Sequence, residues 1–169
     1  MSIRKIANIA MFATLICAFT FIYVPTPWGV PITGQTLAIL VAGLVLKPKD
    51  AALAVSLYLT LGIIGLPVFS GGQSGIGVLF GPTGGYLSSF LLGVLILSWL
   101  SAKQKPLLGI ILFTIVVYLI GSFQLAIVTN ITFLQALKVG MLPFVLGDII
   151  KASLAFVVAK RVSAVNTFA

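Results

Sequence analysis

The segment MLPFVLGDIIKASLAFVVAKR holds the two side chains best equipped for chemistry, Asp148 and Lys151, among Val, Ile, Leu and Phe. The chain has only two acidic residues in all, and no histidine. On a helix, a spacing of three puts a carboxylate and an ammonium on one face. If that helix begins near Met141, Asp148 lies about 10 Å and Lys151 about 15 Å along its axis, which brings Lys151 close to mid-membrane. Each such charge costs about 2.5–3.5 kcal/mol at the centre of a spanning helix. A buried ion pair is a poor device for stability alone, because apolar residues of equal volume often do as well or better. The pattern therefore points to a ligand site in which Asp148 accepts and Lys151 donates hydrogen bonds. The alternative is an internal ion pair that latches the last helix to its neighbours. Gly140, Pro143 and Gly147 would let the start of this helix bend or approach others closely.

A second candidate is GGQSGIGVLFGPTGGY, residues 71–86. It lacks the Gly-Lys-Ser/Thr ending of a phosphate loop, and no strand precedes it, so nucleotide binding is not indicated. Gln73 offers an amide that both donates and accepts, and Tyr86 a ring with a hydroxyl. Together with apolar walls they would complete a small-molecule pocket. On the first apolar run, Ala10, Thr14 and Ala18 recur every four residues, a stripe of small side chains that lets another helix come close. Spacing alone does not separate packing within the chain from docking of a membrane partner. Catalysis has little to stand on: Cys17 is the only cysteine, and Asp50 and Asp148 are the only acids. Metal clusters and carboxylate dyads are thereby excluded. Ser153, two residues from Lys151, points off its face. The chain reads as a protein that is not an enzyme and needs no metal or cofactor.

The elements that must carry these residues follow from composition. Of 169 residues, 60% are hydrophobic and 7% charged, far from the balance of a soluble domain. The apolar runs are continuous, as in LLGIILFTIVVYLIGSF, without the alternation of a membrane barrel. The expected fold is an all-α integral membrane protein forming a single membrane domain over residues 1–169. Breaks at charges and Pro/Gly clusters give six transmembrane helices, at about 6–23, 35–46, 51–67, 83–101, 107–128 and 141–159. The second is short, so it is tilted, buried among neighbours or extended into the preceding loop. The N-terminal run is too long for a signal-peptide core and has no small-residue cleavage site, which predicts a retained helix.

Net charge is +8, and the placement of the charges argues against nucleic acid. Arg4/Lys5, Lys47/Lys49, Lys103/Lys105 and Lys160/Arg161 sit in pairs at the ends of apolar runs. With six spans, all four pairs fall on one side, and the positive-inside rule makes that side, with both termini, cytoplasmic. The opposite loops, VPTPWGVPITG, LPVFSGGQSGIGVLFGP and TNITFLQALKVG, carry only Lys138. In the first, prolines flank Trp28, an aromatic at interfacial depth. The second is too apolar for a solvated loop, so residues 69–82 are expected to fold back on the helices or line a cavity.

VPTPWGVPITGQTLAILVAGLVL, LGIIGLPVFSGGQSGIGVLFGPTGGYLSSF and LPFVLGDIIKASLA together closely resemble the BioY family, the biotin-specific S component of energy-coupling factor transporters. The resemblance covers almost the whole chain, and the GPTGGYL and G-D-x-x-K blocks carry it jointly. One departure is Thr14, where such components commonly have Ala-x-x-x-Ala. The resemblance implies high-affinity biotin capture from outside at the bacterial cell membrane. It also implies membrane lipid as surroundings and, as partners, a transmembrane coupling protein with two cytoplasmic ATPases. It assigns ligand contacts to Asp148, Lys151 and Gln73, with Tyr86 as a further polar contact. Two rivals remain in the residues themselves: a small proton-coupled carrier in which Asp148 cycles a proton, and a scaffold without a ligand.

Overall fold

The computed structural model describes residues 2–27 and 29–164, so Trp28 lies outside the described residues. Seven α-helices follow in chain order among them: α1 (Ile3–Thr20), α2 (Gln35–Val45), α3 (Pro48–Ile63), α4 (Gly84–Ala102), α5 (Pro106–Thr129), α6 (Phe133–Gly140) and α7 (Val145–Ala164). Their boundaries are written locally. Ser2 caps α1 through its side chain, proline opens α3 and α5, where its missing N–H is harmless, and Asn130 closes α5 in the left-handed conformation. A two-residue antiparallel hairpin, β1 (Tyr23–Val24) with β2 (Ile32–Thr33), follows α1. Two short 3₁₀ turns, Ser70–Gly72 and Ile76–Phe80, occupy the connection from α3 to α4.

α1, α4 and α5 are each long and apolar enough to cross a membrane, and α6 with α7 makes a fourth, bent by 55°. Their outward faces are apolar as well: Leu92, Ile111, Ile115, Phe123 and Ile127 are all exposed, which suits a hydrocarbon surround rather than water. α2 has 11 residues, about 16 Å of helix. Its shortness goes with its position, since it packs on α1, α4 and α7 and buries seven of those residues.

Most expected spans lie within a few residues of the observed helices. The exception is Phe133–Gly140, a helix within the expected loop TNITFLQALKVG. Thr132 and Gln135 form a reciprocal capping box there, a helix-start signature that the sequence did contain. The chain then turns through 141–144, with Pro143 inside the bend, and α7 begins at Val145 rather than near Met141.

α4 and α5 form the most extensive helix pair, and it depends on missing side chains. Gly85 lies where a Cβ would press on the backbone of Ile120 and Gly121, and Gly121 lies against the Tyr86 ring. The start of α1 meets the start of α3 through an ion pair of Lys5 and Asp50 at 2.9 Å, close in distance though not aligned as a hydrogen bond. The ends of α2, α4 and α7 and the start of α5 share a cavity lined by Lys47, Gln104, Pro106 and Lys160. The paired basic residues are thus gathered at one end of the bundle.

Phe69 is 1% exposed, its ring meeting Tyr58 edge-on and covering Gly62 so closely that a Cβ there would overlap it. Gly62→Ala should therefore lower the thermal unfolding midpoint in detergent, by the equivalent of about 1–3 kcal/mol for overpacking. Gly147→Ala, with open space around the new methyl, should leave the midpoint unchanged or raise it. Equal midpoints for the two variants would contradict this packing.

Candidate ligand-binding site

Because α7 starts at Val145, Asp148 falls in its first turn, about 4–5 Å along the axis, with Lys151 at about 9 Å. This corrects the expected helix start near Met141. It also eases the electrostatics, since a carboxylate in the first turn faces the positive end of the helix dipole. Lys151 Nζ donates to Asp148 Oδ1 at 2.8 Å and to Thr36 Oγ1 at 3.2 Å. Tyr118 Oη donates to Asp148 Oδ2 at 2.6 Å. The two charged side chains are 18% and 16% exposed, enclosed yet reachable. An ammonium has three N–H donors and a carboxylate about four acceptor positions, so both groups retain hydrogen-bonding capacity beyond this network.

That capacity faces a cavity of about 60 Å³. Its walls come from the first connection (Val30, Pro31, Thr33), the start of α2 (Gln35, Thr36), the glycine-rich connection (Phe69, Ser70, Thr83) and α4 to α7 (Tyr86, Leu87, Phe90, Val117, Tyr118, Phe144). The 69–82 segment folds back in part: Phe69 is buried and Val78 and Leu79 pack on the core, whereas Ile76 and Phe80 are exposed. Gln124 on α5 holds it there, its Nε2 donating to Leu79 O at 2.7 Å and to Gly81 O at 2.9 Å. The start of α2 is fixed by Gln35, 2% exposed, whose Nε2 donates to Tyr58 Oη at 2.6 Å.

Of the residues singled out in the sequence, Asp148, Lys151 and Tyr86 come together around this cavity. Tyr86 contributes its ring, while its hydroxyl donates to Gly140 O at 3.0 Å and lies 3.5 Å from Ser122 Oγ. Gln73 is exposed and does not line the cavity; its carbonyl accepts from the Phe69 N–H at 3.0 Å. Ala10, Thr14 and Ala18 form an exposed stripe on α1, and the Thr14 hydroxyl donates back to Ala10 O at 2.9 Å. Tyr118, Thr36 and Gln124 were not singled out. Tyr118 had a signal, as a lone phenol in a long apolar run whose hydroxyl needs a partner when buried. Thr36 and Gln124 had none beyond being polar.

The model of the BioY family matches residues 1–167. This chain belongs to the BioY family. It is 42% identical over 151 residues to biotin transporter BioY2 of Lactococcus lactis, covering 86% of this chain and 82% of that protein. It is 34% identical over 162 residues to biotin transporter BioY of Thermotoga maritima, covering 94% and 95%. Among solved structures it is similar to the crystal structure of the S component for biotin from an ECF-type ABC transporter, with a TM-score of 0.87 and 30% identity, covering 96% of this chain and 92% of that one. The fold is thus shared with that structure over almost the whole chain. Membership of the family makes the chain a multi-pass membrane protein of a transporter family.

Within this BioY-family site, Tyr118 is the only side chain that donates to Asp148 besides Lys151 among the described residues. Tyr118→Phe should lower stability by about 1.5–3 kcal/mol, the usual range for a hydrogen bond to a charged group. Thermal unfolding of the ligand-free protein measures this, and an unchanged midpoint would show that the bond carries no net weight.

Proposed function

We propose that this chain captures biotin from the external side and takes it up as the substrate-binding component of an ATP-driven energy-coupling factor transporter. The observation that carries the reading is the Asp148–Lys151–Tyr118–Thr36 network, with hydrogen-bonding capacity to spare, at the wall of a largely apolar cavity in a BioY-family chain. Biotin matches that arrangement in kind. Its ureido group has two N–H donors and a carbonyl, its bicycle and chain are apolar, and its tail is an anion. Asp148 accepts from a ureido N–H, and Lys151 donates to the carbonyl or the carboxylate. Tyr86 and Phe69 supply ring surface. Gln73 contacts the ligand from the loop once the segment beyond Phe69 closes inward.

In this reading the chain is a single membrane domain with six transmembrane helices, α6 and α7 forming the last as a bent pair. Both termini are on the cytoplasmic side of a bacterial cell membrane, where the basic end of the bundle belongs. It performs no catalysis. A transmembrane coupling protein docks against the Ala10/Thr14/Ala18 stripe, and two cytoplasmic ATPases supply the energy. Membership of the BioY family favours this component over the proton-coupled carrier.

Calorimetric titration of detergent-purified, ligand-freed protein should show tight biotin binding and none of thiamine or riboflavin; silence with biotin would overturn the reading. Asp148→Asn should weaken biotin binding on the order of 100-fold, about 3 kcal/mol, since a charge-assisted bond is lost and Lys151 is left without its partner. Unchanged affinity would remove Asp148 from the site. Ala10→Trp should abolish biotin uptake by cells that carry the coupling protein and ATPases, yet leave binding by the purified protein intact.

A further inference from the structure

α7 packs mainly on α2, whereas α5 packs on α4 and α6. A cleft is left between α5 and α7, with a volume of about 920 Å³. On the α5 side it is lined by Leu107, Ile111, Ile115 and Leu119, a stripe of four-residue spacing about 18 Å long. That length is close to one leaflet of a bilayer whose hydrocarbon core is about 30 Å thick. The three hydroxyls in the walls already donate to partners within the protein, Thr114 Oγ1 to Ile110 O and Ser153 Oγ to Ile149 O, each at 2.9 Å, and Tyr118 Oη to Asp148 Oδ2 at 2.6 Å. The cleft offers a methylene chain dispersion contacts and no competing donor.

At the end marked by Leu107 and Phe156 the cleft adjoins a second cavity of about 460 Å³ at the basic end of the bundle, Phe156 lining both. This cavity presents Lys47, Gln104 and Lys160. Lys160 Nζ lies 4.8 Å from the centre of the Phe156 ring, which holds its charge at the junction. No acidic side chain offsets Lys47 or Lys160, because the chain has only two acids and they pair with Lys5 and Lys151. At its inner side the cleft reaches Tyr118 and Asp148, which also line the ligand cavity.

We propose that these two spaces together seat one anionic phospholipid, an acyl chain in the cleft between α5 and α7 and its phosphate-bearing headgroup at Lys47, Gln104 and Lys160. The amphiphilic form of the site, apolar over one leaflet and cationic at its end, selects this occupant over a protein segment. The seated chain closes the Tyr118–Asp148 partition from the lipid side, so the ligand cavity keeps one polar route of access.

Native mass spectrometry of the detergent-purified full chain, delipidated and then offered dioleoyl phosphatidylglycerol or dioleoyl phosphatidylcholine, tests the proposal without reference to biotin. A single-lipid adduct is expected that favours the glycerol lipid, with Lys160→Gln reducing that preference about fivefold, as for loss of one basic group near an anionic lipid. Ser153→Phe and, from the opposite wall, Ile111→Trp should each remove the adduct while keeping a wild-type unfolding midpoint. Equal retention of the two lipids by the wild-type protein would overturn the headgroup assignment. Undiminished adduct in both obstructed variants would overturn the acyl seat. A lipid-free dimer in the same spectra would give the cleft to a second copy and likewise overturn the proposal.

Discussion

A carboxylate and an ammonium held inside an apolar bundle must neutralise each other, and their remaining valences must be met by neighbours. Removing one partner from such a pair costs about 3–5 kcal/mol, so the surroundings of Asp148 and Lys151 are tightly constrained. Tyr118 on α5 takes the second carboxylate oxygen, and Thr36 at the start of α2 takes a second ammonium donor. α7 is thereby tied to α5 and α2 at the same depth. The bend between α6 and α7 serves the same constraint, placing Asp148 in a first turn, where the dipole of α7 favours its charge.

The remaining packing holds those partners in register. α5 can present Tyr118 because α4 lies close against it, an approach permitted by Gly85 and Gly121. α2 can present Thr36 because the preceding residue, Gln35, is anchored to Tyr58, and Tyr58 is itself packed against Phe69. A chain of contacts thus runs from the glycine-rich connection through α3 and α2 to Lys151. The walls of the cavity and its polar end are parts of one packing arrangement.

Much of this was legible in the sequence where a single physical rule dominates. Continuous apolar runs bounded by basic pairs located the helices, since burial in hydrocarbon leaves few other options for the backbone. The cost of intramembrane charge singled out Asp148 and Lys151. What was not legible depends on tertiary placement. The eight-residue α6 is too short to give an apolar run, and without it the expected start of α7 fell near Met141 instead of Val145. Tyr118, Thr36 and Gln124 come from three separate regions and meet their partners only through helix packing. Gln73 was noticed for its chemistry, yet its exposed position follows from the Phe69–Gln73 backbone bridge, which composition does not reveal.

The fastening of the glycine-rich connection fixes how it can move. Its upstream root is the plugged ring of Phe69, and its downstream root is the double hold of Gln124 on Leu79 and Gly81. Between these roots, the stretch from Ser70 to Gly77 is braced internally by the Phe69–Gln73 bridge, and its backbone bond to the bundle runs from Gly75 N–H to Gly62 O at 2.7 Å. A neutral hydrogen bond of this kind is worth about 1 kcal/mol net, less than the buried ring that fixes the upstream root. The connection is thus a strip pinned at both edges and held at its middle by the Gly75 bond, with its two ends fastened to different helices.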